Sequence, residues 1–180
     1  MATAPRLAPT TEDDWDEETR ELVLSNNGLN IFRTVAHHPK LLKRWLVFGR
    51  HVLAKSSLPP RERELAILRT GWRCGSEYEF GQHTVIGLGS GLSEDEIRNL
   101  TQDASSTGWS HEDETLIRAV DELVDDHRIS DQTWSDLAGT WSKQQLLDLV
   151  FAVGQYTLVS SMLNTFGVEP EDGLPGFPAA

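Results

Sequence analysis

Three residues that can exchange protons lie within twenty positions of one another. Glu64 occurs in an apolar stretch, and Glu79 and His83 follow it, four positions apart. On a helix this spacing places Glu79 and His83 on one face, together with Ser76. A carboxylate beside an imidazole can orient the ring and exchange protons with it near neutral pH. The pattern therefore predicts a proton-transfer site; the simpler interpretation is an ordinary Glu–His contact on a helix surface.

Other polar residues near these three are candidates for binding a substrate. Tyr78 and Gln82 form the adjoining stripe of the same predicted helix. Arg50 belongs to a basic stretch, residues 33–55, which contains six Lys or Arg and no acidic residue. The stretch indicates either a solvated helix face or subunit surface, or the border of a pocket that takes a carboxylate. No ligand-dense motif for a metal ion occurs, so we expect no metal site.

Helical periodicity and capping residues dominate the chain. Apolar residues recur three and four positions apart, and Ser93 and Ser142 each begin a capping box. We expect helices after Pro39, over residues 59–73, over residues 76–86 and over residues 146–166. No alternating strand run flanked by hairpin turns occurs. The sequence therefore predicts an all-α fold, a single-domain helical bundle.

Length and composition limit the classes of function. The chain has 180 residues, 38% of them hydrophobic and 24% charged, which fits one folded domain. We expect this domain over residues 15–170, a flexible or surface-draped arm over residues 1–14 and an irregular tail over residues 171–180. The net charge of −12 argues against nucleic acid or an anionic membrane as a partner. Because no segment reads as a signal peptide or a membrane span, we expect a cytoplasmic protein.

Part of the sequence resembles a known family. Residues 58–65 and 75–83, continued by residues 91–97, resemble the carboxymuconolactone decarboxylase family, which includes the alkylhydroperoxidase D-like proteins. A weaker similarity occurs at residues 154–156. The resemblance implies an all-helical fold that assembles into homo-oligomers (dimers, trimers or hexamers), with pockets near the subunit contacts. The long apolar face of residues 146–166 also favours self-association.

The cysteine content separates two branches of that family. The peroxidase branch requires a Cys-x-x-Cys pair, and the matching positions here hold Ser76 and Glu79. Neither residue can cycle through a disulfide. Cys74, the only cysteine, lies two positions before the first of them and has no partner in the chain. The resemblance therefore implies the decarboxylase-like branch, in which the conjugated carbonyl of the substrate takes up the electrons and no cofactor is needed.

The resemblance and the spacing together suggest a role for each residue. His83 is expected to donate a proton or to bind an enolate oxygen, Glu79 to orient His83, and Glu64 to act as a second acid–base group. The expected substrate-binding residues are Ser76, Tyr78, Gln82 and Arg50. The expected substrate is a small carboxylated unsaturated lactone or a related carbonyl acid. Two alternatives stay open: peroxide reduction through Cys74 with an external thiol, and a helical oligomer that binds a small acid without catalysis.

Overall fold

The computed structural model describes residues 4–106 and 108–178, without the side chain of residue 106. Within these residues the chain forms helices joined by turns and contains no β-strand. The α-helices are α1 (Glu17–Leu24), α2 (Asn30–Val35), α3 (Pro39–Ala54), α4 (Pro60–Arg73), α5 (Glu77–Gly89), α6 (Glu94–Asn99), α7 (His111–Asp125), α8 (Asp131–Thr140) and α9 (Lys143–Phe166). Two short 3-10 helices cover Glu12–Asp14 and Ala104–Ser106. The all-α fold class predicted from the sequence is confirmed.

Helix α4 lies at the centre of the bundle. It packs against α5, α7 and α9, and every residue from position 64 to position 71 is buried. Full burial of a leucine such as Leu65 or Leu68 contributes about 1.5–3 kcal/mol. Polar residues in the same stretch must find partners inside the protein. Arg69 does so by donating to Asp121 Oδ1 at 2.7 Å, and Glu64 needs an equivalent partner.

Capping residues set the helix boundaries that the sequence predicts. Ser93 and Ser142 form the two predicted capping boxes, with Glu96 and Gln145 as their partners. In each box the serine side chain accepts a backbone hydrogen bond from the third residue of the helix. Gly167, with φ of 67°, ends α9 in the left-handed conformation that glycine adopts without a steric penalty.

The N-terminal arm is attached to the helical bundle. The Thr10 hydroxyl donates to the carbonyl oxygen of Arg33 at 2.7 Å. The backbone N–H of Arg6 donates to the carbonyl oxygen of Phe166, at the end of α9, at 2.8 Å. The described part of the arm, residues 4–14, therefore lies on the surface of the bundle. Residues 1–3 of the predicted arm and residues 179–180 of the predicted tail lie outside the described residues.

The C-terminal tail packs on α4 and α5. The ring of Phe177 lies edge-on against Trp72 and Phe80, with ring centroids 5.0 and 5.2 Å apart. The carbonyl oxygen of Pro175 approaches α5 at Gly81, where a Cβ atom would overlap it. Residues 171–178 of the tail form no helix or strand, and they cover part of both helices.

Helix α9, with 24 residues, has a buried face and an exposed apolar face. By length and composition alone it could cross a membrane, but half of its most apolar window is buried inside the protein. It packs against α3, α4, α5, α7 and α8, which is typical of the core helix of a bundle. Its other face leaves Leu147, Phe151 and Leu158 exposed by 60%, 55% and 60%. The helix thus belongs to the core and also presents an apolar surface to solvent.

Candidate active site

A histidine from α5 and a glutamate from α4 meet inside the protein. His83 Nδ1 lies 2.6 Å from Glu64 Oε2, and the two side chains are 6% and 0% exposed. The other carboxylate oxygen of Glu64 accepts a hydrogen bond from Arg63 Nε at 2.9 Å. Because a carboxylate only accepts hydrogen bonds, Nδ1 of His83 carries the proton of this contact. The pair fixes the ring and leaves Nε2 as the nitrogen that can accept or give a proton.

Glu79 is the second carboxylate beside this ring. Its Oε2 atom lies 3.5 Å from His83 Nε2, and the residue is 4% exposed. Burial raises the pKa of Glu79 to about 7 because the charged form loses its hydration; the nearby His83 opposes this rise and Glu64 adds to it. Glu79 and the His83 ring are therefore suited to exchanging protons near neutral pH.

The structure places the two glutamates around His83 differently from what their spacing in the sequence suggests. The sequence predicts that Glu79 orients His83, because the two residues lie four positions apart on one helix. In the structure Glu64 makes the orienting hydrogen bond, and Glu79 lies at the longer distance. Side chains four positions apart lean along the helix in the same direction, whereas the neighbouring helix α4 presents Glu64 directly to Nδ1.

A cavity of about 160 Å³ lies beside Glu79 and His83 and is lined by side chains from α2, α3, α5 and α9. Glu79 and His83 lie on its wall, and Glu64 does not reach it. The rest of the wall is mainly apolar and includes Leu29, Phe32, Trp45, Leu53, Ile86 and Val159. An apolar cavity of about 150 Å³ is large enough to bind benzene. The cavity therefore fits a ring-sized molecule and offers it two proton-transfer groups.

Tyr156, on α9, belongs to this site, and no motif in the sequence predicts a chemical role for it. It lines the cavity, and its ring packs edge-on against His83 with centroids 4.7 Å apart. Burial raises the pKa of Tyr156 well above its ordinary value, and the charges of Glu79 and Glu64 raise it further. Its hydroxyl, which makes no hydrogen bond within the described residues, therefore stays protonated and can act as a donor.

Two predicted substrate-binding residues hold a carboxylate of the protein itself. Tyr78 and Gln82 line the cavity, but the Tyr78 hydroxyl donates to Glu171 Oε1 at 2.9 Å and Gln82 Nε2 donates to Glu171 Oε2 at 2.6 Å. The backbone N–H of Asn30 donates to the same carboxylate at 2.6 Å. Glu171 thus joins the tail to α2 and α5. The two side chains support the cavity wall, and the Tyr78 hydroxyl proton and one N–H of Gln82 are already engaged by Glu171.

The other two predicted substrate-binding residues have different surroundings. Arg50 is exposed, lines the cavity and makes only a long contact, 3.4 Å, to Ser25 Oγ. It forms no ion pair within the described residues, so its guanidinium can meet an anion from solvent. Ser76 is fully buried and does not line the cavity. It stands at the start of α5, before the turns that reach the cavity, which removes it from contact with a bound molecule.

A family model covers the part of the chain that carries Glu64, Glu79 and His83. The model of the carboxymuconolactone decarboxylase family matches residues 39–122. An uncharacterized peroxidase-related protein from Ralstonia eutropha JMP134, described as an alkylhydroperoxidase AhpD core, has the same fold, with a TM-score of 0.83 and 16% identity over 96% of this chain and 95% of that one. Residues 39–122 are therefore similar to the carboxymuconolactone decarboxylase family, and the chain shares the fold of this solved structure.

Two further solved structures share the fold of this chain. An uncharacterized peroxidase-related protein from Silicibacter sp. TM1040 has a TM-score of 0.81 and 12% identity over 99% of this chain and 100% of that one. A cysteine-to-alanine variant of the debrominase Bmp8, in complex with 2,3,4-tribromopyrrole, has a TM-score of 0.78 and 11% identity over 96% and 95%. At these identities the similarity shows the fold alone. No curated protein sequence matches the chain significantly.

Cys74 is the sole cysteine of the chain, and it does not line the cavity. Burial raises the pKa of the Cys74 thiol, although the hydroxyls of Thr157 and Ser160 act in the opposite direction. A raised pKa keeps a thiol protonated and poorly nucleophilic at neutral pH. Within residues 4–106 and 108–178, no group of three or more His, Cys, Asp or Glu side chains is arranged to hold a metal ion.

The buried carboxyl of Glu79 leads to a prediction about stability. We expect Glu79→Gln to raise the free energy of unfolding at pH 8 and to leave it nearly unchanged at pH 5. The pKa of Glu79 is about 7 in the folded protein and 4.5 ordinarily, so the folded state binds the extra proton and stability falls as pH rises through this window. The loss reaches about 3 kcal/mol above pH 7.

Chemical denaturation at the two pH values measures this difference. The control is Glu77→Gln, which replaces an exposed carboxylate on the same helix. We expect the control to change stability little at either pH. An equal effect of Glu79→Gln at pH 5 and pH 8 would contradict the prediction.

Proposed function

We propose that the protein is a cofactor-independent enzyme that transfers protons on a small carbonyl acid, as in the decarboxylation of a carboxylated unsaturated lactone. The observation that carries the proposal is the buried row of Glu64, His83 and Glu79, which ends at an apolar cavity. Glu64 holds the ring, and His83 Nε2 and Glu79 meet the substrate. A positioned acid–base pair of this kind speeds proton transfer by about 10²–10⁴-fold.

The proposed reaction consumes one proton and no oxidant. The bond between the ring carbon and the carboxylate carbon breaks, carbon dioxide leaves, and the electron pair moves into the conjugated carbonyl to form an enolate. Glu79 or His83 Nε2 then returns a proton to the ring carbon. The apolar wall disfavours the charged carboxylate relative to the transition state, in which its charge is dispersed.

Two residues supply the remaining interactions in this proposal. Tyr156 lines the cavity as a neutral phenol and donates a hydrogen bond to the developing enolate oxygen. Arg50, without an acidic partner among the described residues, attracts the substrate carboxylate at the exposed side of the cavity. The debrominase variant with the same fold is in complex with a small pyrrole, and this supports a ring-sized substrate.

The environment of Cys74 makes peroxide reduction the weaker alternative. The thiol does not line the cavity, its pKa is raised by burial, and the chain holds no second cysteine to resolve an oxidised one. A reaction through Cys74 would require an external thiol, which would have to reach a half-buried sulfur. The acid–base site needs neither a nucleophilic thiol nor an external reductant.

The test is a spectrophotometric assay of 4-carboxymuconolactone consumption by three proteins. We expect the wild type and Cys74→Ser to consume the lactone at the same rate, and Glu79→Gln to lose at least about 100-fold. For the wild type, kcat/KM should fall above about pH 7, because ionised Glu79 can no longer give its proton.

Other outcomes would favour the alternatives. Hydroperoxide consumption that Cys74→Ser abolishes would support thiol chemistry in place of the lyase. Binding of small carboxylic acids without turnover of any carbonyl acid would support the non-catalytic oligomer.

We also propose that the protein forms a homo-oligomer through the exposed apolar surface of α3 and α9. Phe48, Val150, Phe151 and Leu158 line an open groove there, and the rings of Phe48 and Phe151 lie 6.0 Å apart. We expect Phe151→Asp to shift the oligomer to monomer, since a charge in an apolar interface is costly. Light scattering after gel filtration measures this, with Trp134→Asp on the separate helix α8 as control. An unchanged mass for Phe151→Asp would exclude this surface.

A further inference from the structure

Gln155 is a buried polar residue whose side-chain oxygen lacks a partner. It lies on α9, is 5% exposed and lines both the cavity and the open groove beside Phe48 and Phe151. Its Oε1 atom is buried and accepts no hydrogen bond in the part of the chain that the structure describes. Such an acceptor destabilises the protein, because it has lost its hydrogen bonds to water and has gained none in exchange.

Gln155 differs in position from the other residues that have a buried polar atom without a hydrogen-bond partner. The side chains of Ser76, Ser160 and Trp109 also have such atoms among the described residues, but none of the three lines the cavity. Of these four residues, only Gln155 lines the cavity, so only its unpaired oxygen belongs to a residue that a molecule bound there can touch. It shares the cavity with Glu79 and His83.

We propose that Gln155 binds the substrate, and that its Oε1 atom accepts a hydrogen bond from a hydroxyl or N–H group of a ring-sized molecule. The inference rests on the proposed function, which places the reacting carbonyl acid of that molecule beside Glu79 and His83. It adds that the substrate carries a hydrogen-bond donor besides its carbonyl. A neutral donor suits the site, because the wall around Gln155 is mainly apolar and an ammonium group would lose its hydration there.

The test compares the binding of phenol and toluene, which share a ring and differ by a hydroxyl in place of a methyl group. We expect the wild type to bind phenol about five to ten times more tightly, because the hydroxyl can pair with the buried acceptor. Gln155→Leu should abolish this preference. Gln144→Leu, at an exposed position of the same helix, should keep it. Calorimetric or NMR titration measures both affinities.

Two further variants separate Gln155 from the neighbouring groups. Glu79→Leu removes a different hydrogen-bonding group from the cavity wall and should keep the preference for phenol. His83→Ala should also keep it, although it removes turnover under the proposed function. If the wild type prefers phenol but converts no carbonyl acid, the proposed function is contradicted. The binding role of Gln155 is then still supported.

Thermal stability gives a second readout that a packing role would not produce. Gln155→Leu replaces an unpaired acceptor by an apolar side chain of similar size, so we expect Tm of the free protein to rise by about 2–4 °C. A residue that serves only the fold would lower Tm when it is replaced. A preference for phenol that survives in Gln155→Leu, or failure of the wild type to bind either probe, would overturn the inference.

Discussion

We expect His83→Ala to lower the turnover of a carbonyl-acid substrate by about 10²–10⁴-fold. The substitution removes Nε2, the nitrogen that lies 3.5 Å from Glu79 and borders the cavity. Glu79 alone would then have to donate the proton and work without the ring that positions the substrate. Steady-state kinetics measures the loss, and far-UV circular dichroism checks that the helices persist.

His51→Ala is the matched control for this substitution. His51 lies on α3, with a side chain that is 55% exposed, and its Nε2 atom is 3.7 Å from Asp148. Such a surface contact contributes little to stability and nothing to the cavity. The control should therefore keep wild-type turnover. Wild-type turnover in His83→Ala would remove His83 from the mechanism.

Glu64→Ala should lower the free energy of unfolding by about 3–5 kcal/mol. The Glu64 carboxylate is fully buried and is the shared partner of Arg63 Nε, at 2.9 Å, and His83 Nδ1, at 2.6 Å. Its removal leaves a guanidinium and an imidazole inside the protein without their acceptor. The same change frees the ring of His83 to rotate, so turnover should fall together with stability.

The control for this variant comes from the same helix. Glu62 is 28% exposed and lies 3.5 Å from Arg61, so Glu62→Ala removes a partly solvated ion pair. We expect it to cost less than about 1 kcal/mol. Denaturant titration of both variants measures the contrast. Equal losses of unfolding free energy in the two variants would show that Glu64 contributes no more to stability than a partly exposed carboxylate.

Helix boundaries follow from local rules, which is why the sequence predicts them closely. A serine that accepts a hydrogen bond from the third residue of a helix acts within one turn, so the starts at Ser93 and Ser142 are visible in the sequence alone. The sequence predicts that α5 ends at residue 86, whereas the helix continues for three more residues, to Gly89. Gly87 stays inside this helix, where it packs closely against Leu92.

The contacts of the site depend on packing between distant segments, and spacing along one helix does not predict them. Glu171 reaches Gln82 across 89 positions, and its place in an irregular tail carries no periodic signal. Gln155 and Tyr156 come from a helix that is apolar on nearly every side, so their inward direction is not apparent from the sequence. The weak family resemblance at residues 154–156 was the only signal for them, and it assigned no chemistry.

The contact between Gly81 and the tail restricts how this chain can diverge. A side chain at position 81 would meet the backbone carbonyl of Pro175, and every amino acid has that carbonyl. No substitution in the tail can therefore compensate for a larger residue at position 81. As long as the tail keeps its path across α5, a glycine is required there, and a relative with another residue must route its C-terminal segment differently.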